Sequence, residues 1–442
     1  MDFIFFIFLL AVSVVGAFSG GLTGLVPGLH VNNIALILLS LSPFVSSSDI
    51  LGGINAPLLM AVFIISVALS HTFISIIPAT FIGAPEEDTA LSVLPAHSLL
   101  LEGRGYEAVY LSAIGSLGAV MFSFLVLYPI RFVLIEPISL YSTLKEVMVW
   151  LLISIVLIMI ATEKGKIETP YIKDSRVKSI LGMLMATLVF LLSGIFGIVL
   201  GRIRVVSPVG LPAPILFPTL SGLFGMPTLI HSYLTKPKIP RQLIEKPIIR
   251  EKRKTMLSTI TGSLAGILVS IVPGITSATG TVLAMTARGE ADKRQTIVTL
   301  SAVNTACAFF VTAVLFMILR PRSGAAIAVN ELITVNKWNN LFIPPSNLTV
   351  LIIAMLVSSA VSFNITLFLG KRFAKKFTNI SYQKLIKAAM FFLSFLVILF
   401  TGIIGLLIFL IATFIGLIPV GWGVRRSHCM GVLLLPIILA FI

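Results

Sequence analysis

The stretch from Gly16 to Asn33 reads GAFSGGLTGLVPGLHVNN, and it interrupts an apolar run that extends over residues 3–44. That run is too long for one membrane-spanning helix, which needs about 20 apolar residues. Pro27 cannot donate a backbone hydrogen bond, and Gly28 adopts backbone angles that other residues avoid. The sequence therefore predicts two helical pieces that meet at a break within the membrane.

The same pattern occurs a second time. Residues 262–277 read GSLAGILVSIVPGITS, and their two glycines and Pro-Gly pair have the spacing of Gly16, Gly20 and Pro27-Gly28. A broken apolar segment that occurs once in each half of a chain indicates the substrate site of a secondary transporter. We therefore expect the breaks at 27–28 and 273–274 to face each other at mid-membrane.

The composition predicts an all-α polytopic membrane protein. Charged residues make up 11% of the chain and apolar residues 57%, whereas soluble domains contain about 25% charged residues. The long, unbroken apolar runs exclude a membrane barrel, whose strands alternate in polarity. By span length we expect roughly 10–12 transmembrane segments, including two broken, re-entrant Pro-Gly hairpins. The N-terminus lacks the features of a signal peptide and is interpreted as the first span.

The positive charge is concentrated in loops. Of the 32 Lys and Arg residues, nineteen lie in residues 163–178, 235–254 and 371–387. The positive-inside rule places such loops in the cytoplasm, where they also suit the anionic inner leaflet. The net charge of +15 therefore indicates a multi-pass protein of the cell membrane, and not a nucleic-acid binder.

The longest basic loop, 235–254, divides the chain into two halves. The first half, 1–234, contains the break at 27–28, and the second, 255–442, contains the break at 273–274. Counting spans back from loop 163–178 makes the first break open to the outside, whereas the second opens to the inside. The sequence therefore predicts inverted structural repeats, which allow alternating access to one site.

A helix that restarts after a break presents free N–H groups and the positive end of its dipole, which attract a carboxylate or a phosphate. The alternatives are that the hydroxyls only cap the new helix, that the glycines only pack helices, and that the histidine carries a proton. The predicted substrate-binding residues are Pro27, Gly28, His30, Asn32 and Asn33 in the first copy and Pro273, Gly274, Thr276, Ser277 and Thr279 in the second.

An acidic cluster provides candidates for ion coupling. Glu86, Glu87 and Asp88 follow a proline, so they either bind the coupling cation, Na⁺ or H⁺, or simply begin a helix. Asn304 lies within a predicted span, where it either contacts the ion or forms an interhelical hydrogen bond. We expect no cofactor and no metal site. The chain has no nucleophile or nucleotide motif, so we expect a gradient-driven transporter and not an enzyme.

Three patches of the sequence resemble the large permease subunit of the tripartite tricarboxylate transporters, the TctA family. They are the two Pro-Gly breaks and the segment 76–116, which contains IIP, GAPE, EGRGYEA and SAIGS in that order. The resemblance implies an ion-coupled secondary carrier for a di- or tricarboxylate. It also implies two partners, a small membrane subunit and an extracytoplasmic binding protein that delivers the substrate.

Two other functions are compatible with the residues. A polyprenyl-phosphate translocase would also use helix N-termini to bind its anionic headgroup and basic loops to contact anionic lipid. A membrane assembly subunit would have no use for the duplicated breaks. Carboxylate permease is therefore the leading hypothesis, and lipid-phosphate translocase is the alternative.

Overall fold

The computed structural model describes residues 3–26, 31, 34–35, 37–39, 55–82, 93–163, 175–208, 215–235, 240–249, 251–272, 275–289, 292–377 and 382–441. Every regular element in these ranges is helical. Eight of the described helices are long and apolar enough to cross a membrane, and Met148–Ala161 and Arg426–Phe441 are shorter apolar helices. The predicted all-α polytopic class is confirmed.

We number the α-helices in chain order. They are α1 (Phe3–Thr23), α2 (Ala56–Ile74), α3 (Ile76–Phe81), α4 (Val93–Leu101), α5 (Gly105–Leu134), α6 (Leu140–Glu146), α7 (Met148–Ala161), α8 (Ser175–Leu200), α9 (Leu216–Leu220), α10 (Met226–Thr235), α11 (Lys252–Ile271), α12 (Ser277–Arg288), α13 (Lys293–Ile318), α14 (Gly324–Leu332), α15 (Ser346–Phe377), α16 (Tyr382–Trp422) and α17 (Gly431–Phe441). A π-helical turn, Ser221–Gly225, joins α9 to α10, and a 3₁₀ turn, Arg426–Met430, precedes α17.

Glycines hold α1 against α2. A Cβ atom added to Gly16 would lie 2.6 Å from the Cβ of Ser66, and one added to Gly20 would overlap the carbonyl oxygen of Val67. Such close backbone approach is what small residues permit in membrane helix pairs. The contacts advance in the same direction along both helices, so α1 and α2 run parallel.

The second copy repeats this packing between α11 and α13. A Cβ on Gly262 would lie 2.6 Å from the carbonyl oxygen of Thr299, and one on Gly266 would overlap that of Val303. These helices therefore also run parallel. The duplicated sequence pattern thus corresponds to duplicated helix packing.

We expect Gly266→Ala to destabilise this helix pair. The added methyl group meets a backbone carbonyl, which cannot rotate away, so the cost should be about 1–3 kcal/mol, as for other overpacked cores. Gly421→Ala is the matched control, because nothing lies within 4 Å of a Cβ at Gly421. Thermal unfolding in detergent should show a lower Tm for Gly266→Ala only. Equal Tm values for the two variants would contradict this packing argument.

Helix α12 folds back along α11. Gly280 of α12 faces the side chain of Val269, and Arg288, at the end of α12, donates to Ser258 Oγ (2.8 Å) near the start of α11. Helices α11 and α12 therefore form a hairpin, and the described residues nearest its tip are 272, 275 and 276. The corresponding turn of the first copy, residues 27–30, lies outside the described residues.

Helices α2 and α13 run in opposite directions. Phe81, which ends α3, packs beside Gly105 at the start of α5. Glu107, also at the start of α5, accepts a hydrogen bond from Arg294 Nε (2.7 Å) at the start of α13. The α2–α3 segment therefore ends where α13 begins. We call this end of the bundle the Lys293 end, and the opposite end, where α13 finishes, the Arg322 end.

Helix α16 contains a reversal at Gly402, whose φ of +64° is unfavourable for other residues. Before it, Gln383 contacts Tyr233 and Phe400 contacts Phe217, so the chain runs antiparallel to α9–α10. After it, Ala412 packs against Gly222, and the direction is reversed. The two halves are therefore separate spans, and the boundary at Gly402 matches the division into spans 387–402 and 403–420 that the apolar pattern of the sequence predicts.

Two segments differ from what their sequences predict. The apolar run at about 55–77 predicts a span that ends at Pro78, but Pro78 lies in the first turn of α3, where its missing N–H is not needed. The polar stretch 323–346 predicts a loop, but residues 324–332 form a helix, because Ser323 caps it by accepting a hydrogen bond from the Ala326 amide (3.1 Å).

Candidate functional site

A cavity of about 510 Å³ lies between the two copies of the motif. Val31 follows the first break, Thr72 belongs to α2, and Asn304 belongs to α13. The tip of the second hairpin contributes residues 272 and 275–277. Exposed Arg320 at the edge shows that the cavity opens towards the Arg322 end. Both halves of the chain therefore contribute to one chamber.

The hairpin tip brings the start of α12 to the cavity wall. Thr276 has an extended backbone (φ −104°, ψ 166°), and its Oγ1 accepts a hydrogen bond from the Thr279 amide (3.4 Å). Ser277 Oγ contacts Asn304 Oδ1 at 3.5 Å. Thr276 thus caps the helix, which is the alternative role considered for it, and it also lines the cavity.

The structure brings three of the predicted residues together and leaves one aside. Thr276, Ser277 and Asn304 line the cavity, whereas Thr279 is fully buried and is absent from its lining. The other candidates lie outside the described residues, so they stay predictions: Pro27, Gly28, His30, Asn32, Asn33, Glu86, Glu87, Asp88, Pro273 and Gly274.

Hydroxyl groups connect the cavity to the core of the bundle. Thr72 Oγ1 and Thr305 Oγ1 lie 3.2 Å apart, and Thr305 donates to Ser116 Oγ at 2.8 Å. A second pair, Ser112 and Ser301, joins α5 to α13 at 2.7 Å. Interhelical hydrogen bonds of this kind fix helix positions inside a membrane. The cavity residue Thr72 is therefore tied directly to the central helix of the second copy.

The charge of the cavity is positive. Arg320 and Arg322 line it, and none of its described lining residues is an aspartate or glutamate. Arg322 Nη2 donates to the Tyr141 hydroxyl (3.4 Å), whereas the buried Nη1 has no partner among the described residues. Burial lowers the pKa of Arg322, but a guanidinium remains protonated. A half-buried cation with an unused, buried donor favours an anionic ligand.

The sequence reasoning missed Arg322, although a signal was present. The pair Arg320 and Arg322 ends a span that begins next to the basic loop 235–254, so it lies at the end of the bundle opposite that loop. Basic residues are disfavoured there by the positive-inside rule. Arg202 and Arg204 also follow a span that ends there, but they are exposed. Partial burial, which the sequence does not reveal, distinguishes Arg322.

No group of three or more His, Cys, Asp and Glu side chains is placed to hold a metal ion within the part of the chain that the structure describes. The donors that the cavity offers are hydroxyls, one amide and guanidinium groups. These groups suit the oxygens of a carboxylate or phosphate.

Comparisons with known proteins give one family. The model of the family described as "Tripartite tricarboxylate transporter TctA family" matches residues 10–431. An uncharacterized protein of Methanocaldococcus jannaschii is 29% identical over 434 residues, which cover 97% of this chain and 98% of that protein. No solved structure matches.

Proposed function

The chain belongs to the tripartite tricarboxylate transporter TctA family, and from this premise we propose that it is a permease that moves a di- or tricarboxylate across the cytoplasmic membrane by ion-coupled alternating access. The family and the apolar helices make it a multi-pass membrane protein of a transporter family. The substrate class, the coupling to an ion and the mechanism are the proposal.

The cationic cavity carries this proposal. It lies between the two copies of the motif, contains Arg320 and Arg322, and has no acidic residue among its described lining. Thr276, Ser277 and Asn304 provide neutral hydrogen-bonding groups at its other side. A molecule with two or three carboxylates has one anionic group for the guanidinium and another for the start of α12.

The helix directions support inverted repeats, and through them alternating access. Each glycine-bearing helix runs parallel to a buried partner, α1 to α2 and α11 to α13, while α2 and α13 run in opposite directions. The helices that lead into the two breaks, α1 and α11, then enter the membrane from opposite sides. Rocking of one copy against the other would close the cavity at the Arg322 end and open it at the Lys293 end.

The basic loops support an orientation. Loop 235–254 contacts the Lys293 end, because the Leu243 amide donates to the Gly103 carbonyl (2.7 Å). By the positive-inside rule this end is cytoplasmic. The cavity then opens to the outside, where a binding protein would deliver the substrate. The small membrane subunit and that binding protein are the partners that the family name suggests.

The proposed function is tested by reconstituting the chain in proteoliposomes, alone and with its small membrane subunit and binding protein. We expect labelled citrate or a related carboxylate to exchange across the membrane and to accumulate when an ion gradient is imposed. A parallel assay measures flipping of a polyprenyl phosphate. Flipping of this lipid without transport of any carboxylate would replace the proposal by the lipid-phosphate alternative.

A further inference from the structure

A second cavity, of about 760 Å³, lies at the Lys293 end of the bundle. Its lining includes Glu107 at the start of α5, Arg294 at the start of α13, and residues 243 and 245–249 of the basic loop. We call this cavity the vestibule. Neither the vestibule nor the adjoining sequence EGRGYEA, residues 102–108, has a role in the cavity function described so far.

Helix α13 passes both spaces. Gln295 lines the vestibule, and the next α13 residue that lines a cavity is Asn304, which faces the chamber between the two copies. Residues 296–303 line neither space, and none of the described residues lines both. The barrier between the chamber and the vestibule therefore lies along residues 296–303 of α13.

This part of α13 packs tightly on α5. A Cβ on Gly115 would lie 2.6 Å from the carbonyl oxygen of Val298, so the two backbones are in direct contact. One turn further along α13, Ser301 Oγ lies 2.7 Å from Ser112 Oγ, and both side chains are buried. We call this contact the seam. It joins the two halves of the chain and leaves no room for a substrate to pass.

Two ion pairs close the vestibule end of the seam. Glu107 Oε1 accepts a hydrogen bond from Arg294 Nε at 2.7 Å, and Glu107 Oε2 lies 3.5 Å from Arg104 Nη1. Glu102, in the turn between α4 and α5, pairs with Lys293 at the start of α13. Each pair connects the first half of the chain to the second. Separation of α5 from α13 at this end therefore breaks both pairs.

The basic loop holds the acidic partners in position. Gln242 is buried, its Oε1 accepts a hydrogen bond from the Gly105 amide (2.8 Å), and its Nε2 donates to the Leu100 carbonyl (3.0 Å). The Leu243 amide donates to the Gly103 carbonyl at 2.7 Å. These bonds fix the turn between α4 and α5, so the sequence EGRGYEA presents both of its acids to α13.

The strength of the two pairs suits a closure that must reopen. The side chains of Glu107 and Arg294 are 18% and 33% exposed, and those of Glu102 and Lys293 are 44% and 31% exposed. Ion pairs with this access to solvent each shift an equilibrium by up to about five-fold. Together they favour the closed seam without locking it.

We propose that the seam is the gate of the carrier at the Lys293 end, and that the pairs Glu107–Arg294 and Glu102–Lys293 hold it shut while the chamber is open at the Arg322 end. This proposal rests on the permease function and identifies the residues that control one of its two openings. When the gate opens, α5 and α13 separate, both pairs break, and the chamber joins the vestibule. The substrate then leaves through the vestibule.

A native cysteine reports which end is open. Cys307 lines the chamber, whereas Cys429, the other cysteine of the chain, is fully buried and does not line it. A membrane-impermeant maleimide is added to right-side-out and to inside-out membrane vesicles, and the rate of Cys307 labelling is measured in each. The ratio of the rate from inside to the rate from outside follows the equilibrium between the two open states. For Glu107→Gln, we expect this ratio to rise by about five-fold.

A charge exchange separates gating from general damage. Glu102→Lys places two positive charges together, so the labelling ratio should rise. Adding Lys293→Glu restores an opposite pair, and the ratio should return towards that of the wild type. Glu251→Gln is the matched control, because Glu251 lines the same vestibule but pairs with Lys254 on its own segment, so the ratio should not change.

Each outcome decides the proposal. An unchanged ratio in Glu107→Gln or Glu102→Lys would overturn it, and so would failure of the exchanged pair to restore the ratio. If Glu102→Lys does not fold, the comparison of Glu107→Gln with Glu251→Gln decides. Labelling needs no substrate. A shifted ratio without citrate counterflow in the wild type would therefore support the gate and refute only the carboxylate function.

Discussion

Replacing Arg322 by glutamine is expected to weaken carboxylate binding by roughly 30- to 150-fold, which corresponds to about 2–3 kcal/mol for a lost hydrogen bond to a charged group. The reason is that Arg322 supplies a buried donor, Nη1, without a protein partner among the described residues. Only a bound anion would use that donor fully. Glutamine keeps a polar side chain but removes the positive charge.

Binding is measured as the rise in Tm of the detergent-solubilised protein with citrate concentration, and transport is measured as counterflow. Arg320→Gln is the control, because Arg320 lines the same cavity but is exposed at its edge, where solvent screens its charge. Arg322→Lys should lose an intermediate amount of binding affinity. Lysine keeps the positive charge but lacks the planar guanidinium that donates two parallel hydrogen bonds to a carboxylate. Equal losses for the variants at 320 and 322 would show that only the general positive potential matters.

The second large effect concerns a buried ion pair that anchors the C-terminal part of the chain. Glu163 follows α7, and its Oε2 accepts hydrogen bonds from Arg425 Nε (3.0 Å) and from His428 Nε2 (2.8 Å). The carboxylate side chain is 5% exposed and the imidazole is fully buried. Arg425 precedes the 3₁₀ turn that leads into α17, and His428 lies within that turn. Helix α17 lines the cavity.

Hydrogen bonds keep this carboxylate ionised. Burial by itself raises the pKa of Glu163, but the hydrogen bonds from His428 and Arg425 outweigh it and lower the pKa from 4.5 to about 2. Because the pKa is lowered on folding, the ionised carboxylate stabilises the folded state above about pH 4.5. That stabilisation is lost progressively as the pH falls towards 2.

We expect Glu163→Gln to lower the free energy of unfolding at pH 7 by about 3 kcal/mol, because it leaves Arg425 without the buried anion with which it pairs. The Tm of the variant should also fall less than that of the wild type when the pH is lowered from 5 to 3. Glu251→Gln is the control, since Glu251 is 51% exposed and paired with the equally exposed Lys254, and such pairs contribute little. Similar pH profiles for wild type and Glu163→Gln would contradict this assignment.

The sequence by itself determined the class of the protein and the positions of its two special segments. Long apolar runs leave only helices in a membrane, because each backbone polar group must be paired within its own segment. Gly16, Gly20, Gly262 and Gly266 revealed the duplication because close helix packing needs small residues at fixed spacing. The same local patterns carried the resemblance to the TctA family, which the family match over residues 10–431 confirms.

Only the tertiary structure decided which polar residues share the cavity. Thr276 and Thr279 are three residues apart in one polar patch, yet the first lines the cavity and the second is buried behind it. Arg322 lies far from both Pro-Gly pairs in sequence and belongs to no local motif. Its partial burial and its neighbours depend on how α2, α13 and the second hairpin pack together. Spacing along a helix predicts which residues share one face. Which other helix packs against that face depends on contacts between distant parts of the chain.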